Sequence, residues 1–169
     1  PLVVIDESFC DEALNQSLIH HAGPGVITLK SIGKFWGLAG LRLGAAIGDP
    51  AMLAQLAHWL GPWPVSGPAL AIGTAALNDA DWAKVTRTRL AKDATRLDTL
   101  LLNKGARSLG GTTLFRLYDV PDATHWQTEL AKAKVLTRVF PYAPNWLRLG
   151  LPHPDRWGQL EHALAGIAA

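Results

Sequence analysis

The chain has 169 residues, 49% of them hydrophobic and 18% charged, with a formal net charge of +2. This composition excludes a disordered chain and is enough to build a packed core. The basic residues are scattered, which argues against a nucleic-acid or membrane surface, and the single cysteine, Cys10, excludes a disulfide framework or a multi-cysteine metal site. One cysteine fits a reducing compartment such as the cytoplasm.

The chain opens at Pro1, with no Met and no signal peptide, and runs straight into a strand, which reads as the middle of a longer protein. Residues 2–5 read as a short, fully buried strand ending at Asp6-Glu7. Residues 11–21 read as a short helix or loop, closed by Gly23-Pro24-Gly25. Strands are expected at 26–29 and 43–47, with an irregular or helical piece at 35–41. Such short Val-, Ile- and Leu-rich strands suggest an α/β sheet covered on both faces.

Helices follow at 51–60 and 68–77, separated by Gly61-Pro62-Trp63-Pro64. Asp79 or Asp81 could cap the next helix, 80–104, whose apolar positions are Trp82, Val85, Leu90, Leu97, Leu100 and Leu101. Gly105 ends it. Strand-like segments at 113–118, 135–140 and 146–149 alternate with helices at 123–133 and 155–167. The boundary between the two parts is expected near Ala80, giving domains 1–79 and 80–169. No run of apolar residues reaches the ~20 that a membrane span needs.

The most informative stretch is Ser31-Ile32-Gly33-Lys34, followed by Phe35-Trp36-Gly37-Leu38-Ala39-Gly40-Leu41-Arg42-Leu43-Gly44. A lysine set among apolar and glycine residues after a buried strand is expected to be desolvated, which makes its amine nucleophilic. Such an amine can form a Schiff base with an aldehyde. Ser31, three residues before it, and Arg42, eight after it, supply a hydroxyl and a guanidinium suited to a phosphate.

The whole pattern resembles the Ser-x-x-Lys, Gly-Leu-Ala-Gly-x-Arg-x-Gly signature of fold-type I pyridoxal-phosphate enzymes of the class I/II aminotransferase family. The resemblance implies the C-terminal part of the family's large α/β domain, with a mixed, mostly parallel sheet, plus a small α+β C-terminal domain. It implies pyridoxal 5'-phosphate as cofactor and Lys34 as its catalytic attachment point, with Ser31 and Arg42 on the phosphate. Val3-Val4-Ile5-Asp6-Glu7-Ser8-Phe9 is similar to the family's strand ending in Asp-Glu-Ala-Tyr, 28 residues before Lys34. Asp6 would then pair with the pyridine nitrogen. Phe9 stands where the family has a tyrosine and cannot donate a hydrogen bond. Val135-Leu136-Thr137-Arg138 and Trp146-Leu147-Arg148-Leu149-Gly150 resemble the family's last strands, which makes Arg148 and Arg138 candidates for binding a substrate's anionic groups.

Within the family the chain is most similar to the threonine-phosphate decarboxylase branch of cobalamin biosynthesis. The segments that carry this are Gly33-Lys34-Phe35, Gly61-Pro62-Trp63-Pro64, Gly110-Gly111-Thr112 with Leu114-Phe115-Arg116-Leu117, and Trp146-Leu147-Arg148. The implied substrate is a small phosphorylated amino acid, and the implied assembly a homodimer. The alternatives are a histidinol-phosphate-like aminotransferase and a non-catalytic fragment or dimerisation unit. Arg116 reads as an edge-strand charge, His20-His21 as exposed loop residues, and Trp36 as a possible wall of the Lys34 pocket.

Overall fold

A computed structural model describes residues 1–167 of the chain. The chain divides into two compact units, Pro1–Arg87 and Thr88–Ala169, and the division falls within one long helix.

The first unit holds three strands, β1 (Val3–Asp6), β2 (Val26–Ser31) and β3 (Gly44–Ile47), in the order β1-β2-β3. β1 and β2 run parallel, and β2 and β3 antiparallel. The parallel connection is made by three short 3-10 turns, at Cys10–Glu12, Leu14–Gln16 and Ile19–His21. His20 and His21 are exposed on the last of them. The antiparallel connection is the Lys34 segment, which reverses direction through hydrogen bonds from Gly37 N to Lys34 O (3.0 Å) and from Leu38 N to Ile32 O (3.1 Å). At its end Gly44 pairs with Ser31, and a Cβ at Gly44 would stand 2.9 Å from the Lys30 carbonyl, so only glycine lets β3 approach β2 here.

Two helices close this unit, α1 (Pro50–Leu60) and α2 (Gly67–Leu77). The Asp49 carboxylate accepts from the amides of Ala51 and Met52, and Ser66 Oγ accepts from Ala69 N, so both helices are capped at their first turn by a side chain. The long helix α3 (Ala80–Leu102) begins at Asp79, whose Oδ1 accepts from Trp82 N at 2.9 Å.

The first strand is not the fully buried element its composition suggests. Leu2, Val3 and Val4 are 56%, 50% and 55% exposed. An unbroken apolar run specifies burial on both faces only where something covers them, and β1 is an edge strand open on both faces at Val3 and Val4 among the described residues. Trp82 and Val85 on α3 are likewise exposed, whereas Leu90, Leu97 and Leu101 are buried. The buried apolar positions of that helix are therefore Ala83, Leu90, Ala94, Leu97 and Leu101.

The second unit is an antiparallel sheet of β4 (Arg107–Gly111), β5 (Phe115–Asp119), β6 (Arg138–Phe140) and β7 (Ala143–Gly150), in the order β4-β5-β7-β6. With it go α4 (Ala123–Lys132) and α5 (Trp157–Ala165). Leu97 and Leu101 of α3, Tyr118, Leu130, Leu147 and Leu149 are at most 2% exposed and form one core. Each such leucine contributes about 1.5–3 kcal/mol of burial. β4 is an element that sequence periodicity misses, because Gly110 and Gly111 interrupt its alternation. Gly111 has φ +132°, and a Cβ there would lie 2.9 Å from the Arg116 Cα, so the β4–β5 pairing closes only with glycine.

Candidate active site

Alternation along β2 sorts the first unit's polar residues onto two faces. Leu29 and Ser31 point to one face, which Asp6 shares as the pairing partner of Leu29. Thr28 and Lys30 point to the other.

On the front face, Asp6 is held as a carboxylate. The Ser8 hydroxyl donates to its Oδ1 at 2.5 Å and the Ser8 amide at 2.9 Å. These hydrogen bonds, with the positive charge of Lys34 in support, hold its pKa below the ordinary value against a small opposing effect of burial. Lys34 is exposed, its Nζ 5.8 Å from the centre of the Phe9 ring. Neither Lys34 nor Arg42 has an ion-pair partner among the described residues. The burial of Lys34 expected from the sequence is not supplied by the described residues, among which it is exposed although the adjacent Phe35 is 4% exposed. Ser31 Oγ accepts from Gly33 N at 3.2 Å and pins the start of the loop. Arg42 is exposed, and its backbone is left-handed at φ 53°, ψ 39°. A non-glycine residue in that region is uncommon, and such strain clusters at ligand clamps.

The back face is closed. Glu7 and Asp11 are 5% and 7% exposed, and both reach the Lys30 ammonium, Glu7 Oε2 at 3.2 Å. Glu7 also accepts from Ser17 Oγ (2.8 Å) and Leu18 N (2.6 Å). Burial alone would raise the Glu7 pKa, but these hydrogen bonds and Lys30 outweigh it and lower the value. The same two carboxylates raise the Lys30 pKa against its burial. Trp36 faces this network rather than Lys34. Its Nε1 donates to Asp11 Oδ2 at 2.7 Å, and its ring stacks on Trp82 and lines a hollow with Leu38 and Ile72.

In the second unit, Arg138 and Arg148 are directly opposed on β6 and β7, so their side chains share a face. Arg148 lies over the Phe115 ring (4.9 Å) and Arg138 over the Phe140 ring (5.4 Å). Neither has an acidic partner among the described residues. Like charges placed opposite one another destabilise a sheet by roughly 0.2–1 kcal/mol. Arg116 differs from both. It lies on the interior strand β5, not at an edge, and the Asp98 carboxylate holds its Nε at 3.0 Å and its Nη2 at 2.9 Å. The Tyr118 hydroxyl donates to the same carboxylate at 2.7 Å, and its burial, with that hydrogen bond, pushes the phenol pKa far up. Asp98 is the residue that sequence reasoning misses. It looks like one more polar position on an amphipathic helix.

The model of the family described as aminotransferase class I and II matches residues 2–167. The chain belongs to that family. It is 46% identical over 97% of its length to a threonine-phosphate decarboxylase of a Sinorhizobium species and 40% identical over 98% to one of Pseudomonas aeruginosa. It spans about half the length of these curated relatives, 50% of each. Among solved structures, a histidinol-phosphate aminotransferase from Sinorhizobium meliloti, in complex with pyridoxal-5'-phosphate, superposes on 98% of this chain with a TM-score of 0.79. That alignment covers 48% of the other chain at 21% identity, and it shows a shared fold. For an aminotransferase-family chain Asp6, Lys34, Ser31 and Arg42 are a coherent set by their chemistry. An ionised carboxylate, an amine without an acidic partner, a hydroxyl and a guanidinium fit, in turn, a ring nitrogen, an aldehyde and a phosphate.

Proposed function

We propose that this chain is the lysine-bearing part of a pyridoxal-phosphate enzyme that decarboxylates L-threonine O-3-phosphate to (R)-1-amino-2-propanol O-2-phosphate, in cobalamin biosynthesis. The observation that carries the reading is the separation of two lysines: Lys30 is saturated by Glu7 and Asp11, whereas Lys34 stands near an ionised Asp6 with no ion pair of its own. The similarity to threonine-phosphate decarboxylases supports the choice of branch.

When bound, the cofactor supplies an aldehyde that an amine can hold and a ring that withdraws electrons from the substrate's α-carbon. Lys34 provides the amine. Asp6, kept anionic by Ser8, holds a proton at the ring nitrogen. Ser31 and Arg42 hold the cofactor's phosphate. Arg148 and Arg138 take the substrate's carboxylate and phosphate, two anions for two guanidiniums that face the same way. By fixing both ends of the substrate they decide which bond at the α-carbon is presented for cleavage. Phe9 cannot donate to the ring oxygen, so that position contributes contact only. Family resemblance supports a homodimer, and the single cysteine supports a cytoplasmic setting.

The test is to incubate the full-length protein with the cofactor and O-phosphothreonine. The reading predicts release of CO2 and aminopropanol phosphate without a keto-acid acceptor. A keto-acid product with no CO2 would replace it with the histidinol-phosphate-type transamination.

A further inference from the structure

We propose that Asp11 is a positioning residue that sets the Lys34 amine against Asp6, an inference that rests on the roles given to those two residues above. Asp11 lies five residues after Asp6, on the first turn that follows β1, and is 7% exposed. Each of its oxygens has a separate task. Oδ1 meets the Lys30 ammonium, Oδ2 accepts from the Trp36 indole at 2.7 Å, and the backbone carbonyl accepts from Arg87 Nε at 2.7 Å. The two side-chain partners bracket Lys34, one four residues before it and the other two residues after it.

The stretch from Lys30 to Trp36, which contains Lys34, is thus tied on both sides of Lys34 to the turn that continues from Asp6. Glu7, the neighbour of Asp6, makes the second contact to Lys30 at 3.2 Å. Trp36 is in turn held by a near-parallel stack on Trp82 (5.6 Å, 18°) and an edge contact with Phe35 (5.2 Å). Within the bracketed stretch the flexible residue is Gly33, and these ties add to the Leu38 N–Ile32 O and Gly37 N–Lys34 O bonds that turn the loop. Hydrogen bonds to a buried carboxylate are among the strong ones, and a misplacement of about 1 Å at a reacting centre costs up to ~100-fold in rate. The brace acts through Lys34, and its partners in the structure are Lys30, Trp36 and Arg87.

Trp36→Phe removes the indole donor and keeps an aromatic ring for the stack. In the full-length holoenzyme we expect kcat to fall roughly 10-fold or more while the substrate KM changes less than about twofold. The visible circular dichroism per bound cofactor, which reports its orientation, should change in the same variant. Asp11→Asn, which keeps one carbonyl acceptor and loses the charge, should shift both readouts the same way. Wild-type kcat and wild-type ellipticity in Trp36→Phe, with only a lower melting temperature, would overturn the brace. Lys34→Ala separates this from the parent reading: if that variant keeps the lysine-linked absorption band, the role of Lys34 itself is wrong, whatever Trp36→Phe does.

Discussion

Lys30 lies against the back of the first sheet, where Glu7 and Asp11 both reach its ammonium. Lys34 leaves the strand four residues later and stands exposed with no ion pair, on the side to which Asp6 points. The second unit repeats the contrast with guanidiniums. Arg116 is locked in a two-point pair with Asp98, while Arg138 and Arg148 face each other without an acidic partner among the described residues. In each unit a cation with a carboxylate beside it contrasts with one that has no acidic partner among the described residues. What distinguishes them is whether a carboxylate is built beside them, because the side chains themselves are the same.

The contrast is broken most severely by exchanging the two lysines' fates. Lys34→Ala should lower kcat by ~10^3-fold or more, with the melting temperature almost unchanged, since an exposed lysine without a partner contributes little to stability. Lys30→Met should do the reverse in kind. It leaves two buried carboxylates side by side and should cost about 3 kcal/mol in chemical denaturation. If Lys30→Met were stability-neutral and Lys34→Ala destabilising, the assignment of the two would be inverted.

The arginines give a smaller effect of the same form. Arg148→Lys keeps the charge but loses the planar fork, and should raise the substrate KM by about 10- to 100-fold. Asp98→Asn should leave KM within about twofold and cost ~1–3 kcal/mol of stability, because Arg116 loses its counter-charge. Steady-state kinetics and urea titration on the two variants check both halves.

The smallest expected effect is on pH dependence. Glu7 has a folded pKa below its ordinary value of 4.5, so its stabilising contribution is fully present above that value. It is lost as pH falls from 4.5 through the lowered folded value. Glu7→Gln should therefore flatten the acid limb of the stability curve in that window and leave its slope near neutral pH unchanged. Urea midpoints measured across the acid range decide it.

Much of this was legible in the sequence. The strands and helices other than β4 follow from the apolar runs and the glycine and proline breaks between them, and of the two cap candidates, Asp79 and Asp81, Asp79 caps α3. Lys34, Arg42 and Asp6 stand out because their segments resemble the signature of the class I/II aminotransferase family, whereas glycines and spacing alone read as a surface turn and a strand end. What stayed hidden depends on pairing across the fold. No local pattern says that Lys30 meets Asp11, that Asp98 reaches Arg116 across 18 residues, or that Arg138 sits opposite Arg148. Burial was misread at β1 and at Lys34 for one reason. Apolar composition states what a segment tolerates, and exposure depends on what covers it.

The most direct test uses the full-length protein loaded with its cofactor, reduced with borohydride, digested and mapped by mass spectrometry. The account predicts that the cofactor-derived mass is found on the peptide containing position 34 and fragments to the Lys34 side chain. The same mass on Lys30, or on any residue other than Lys34, would contradict it.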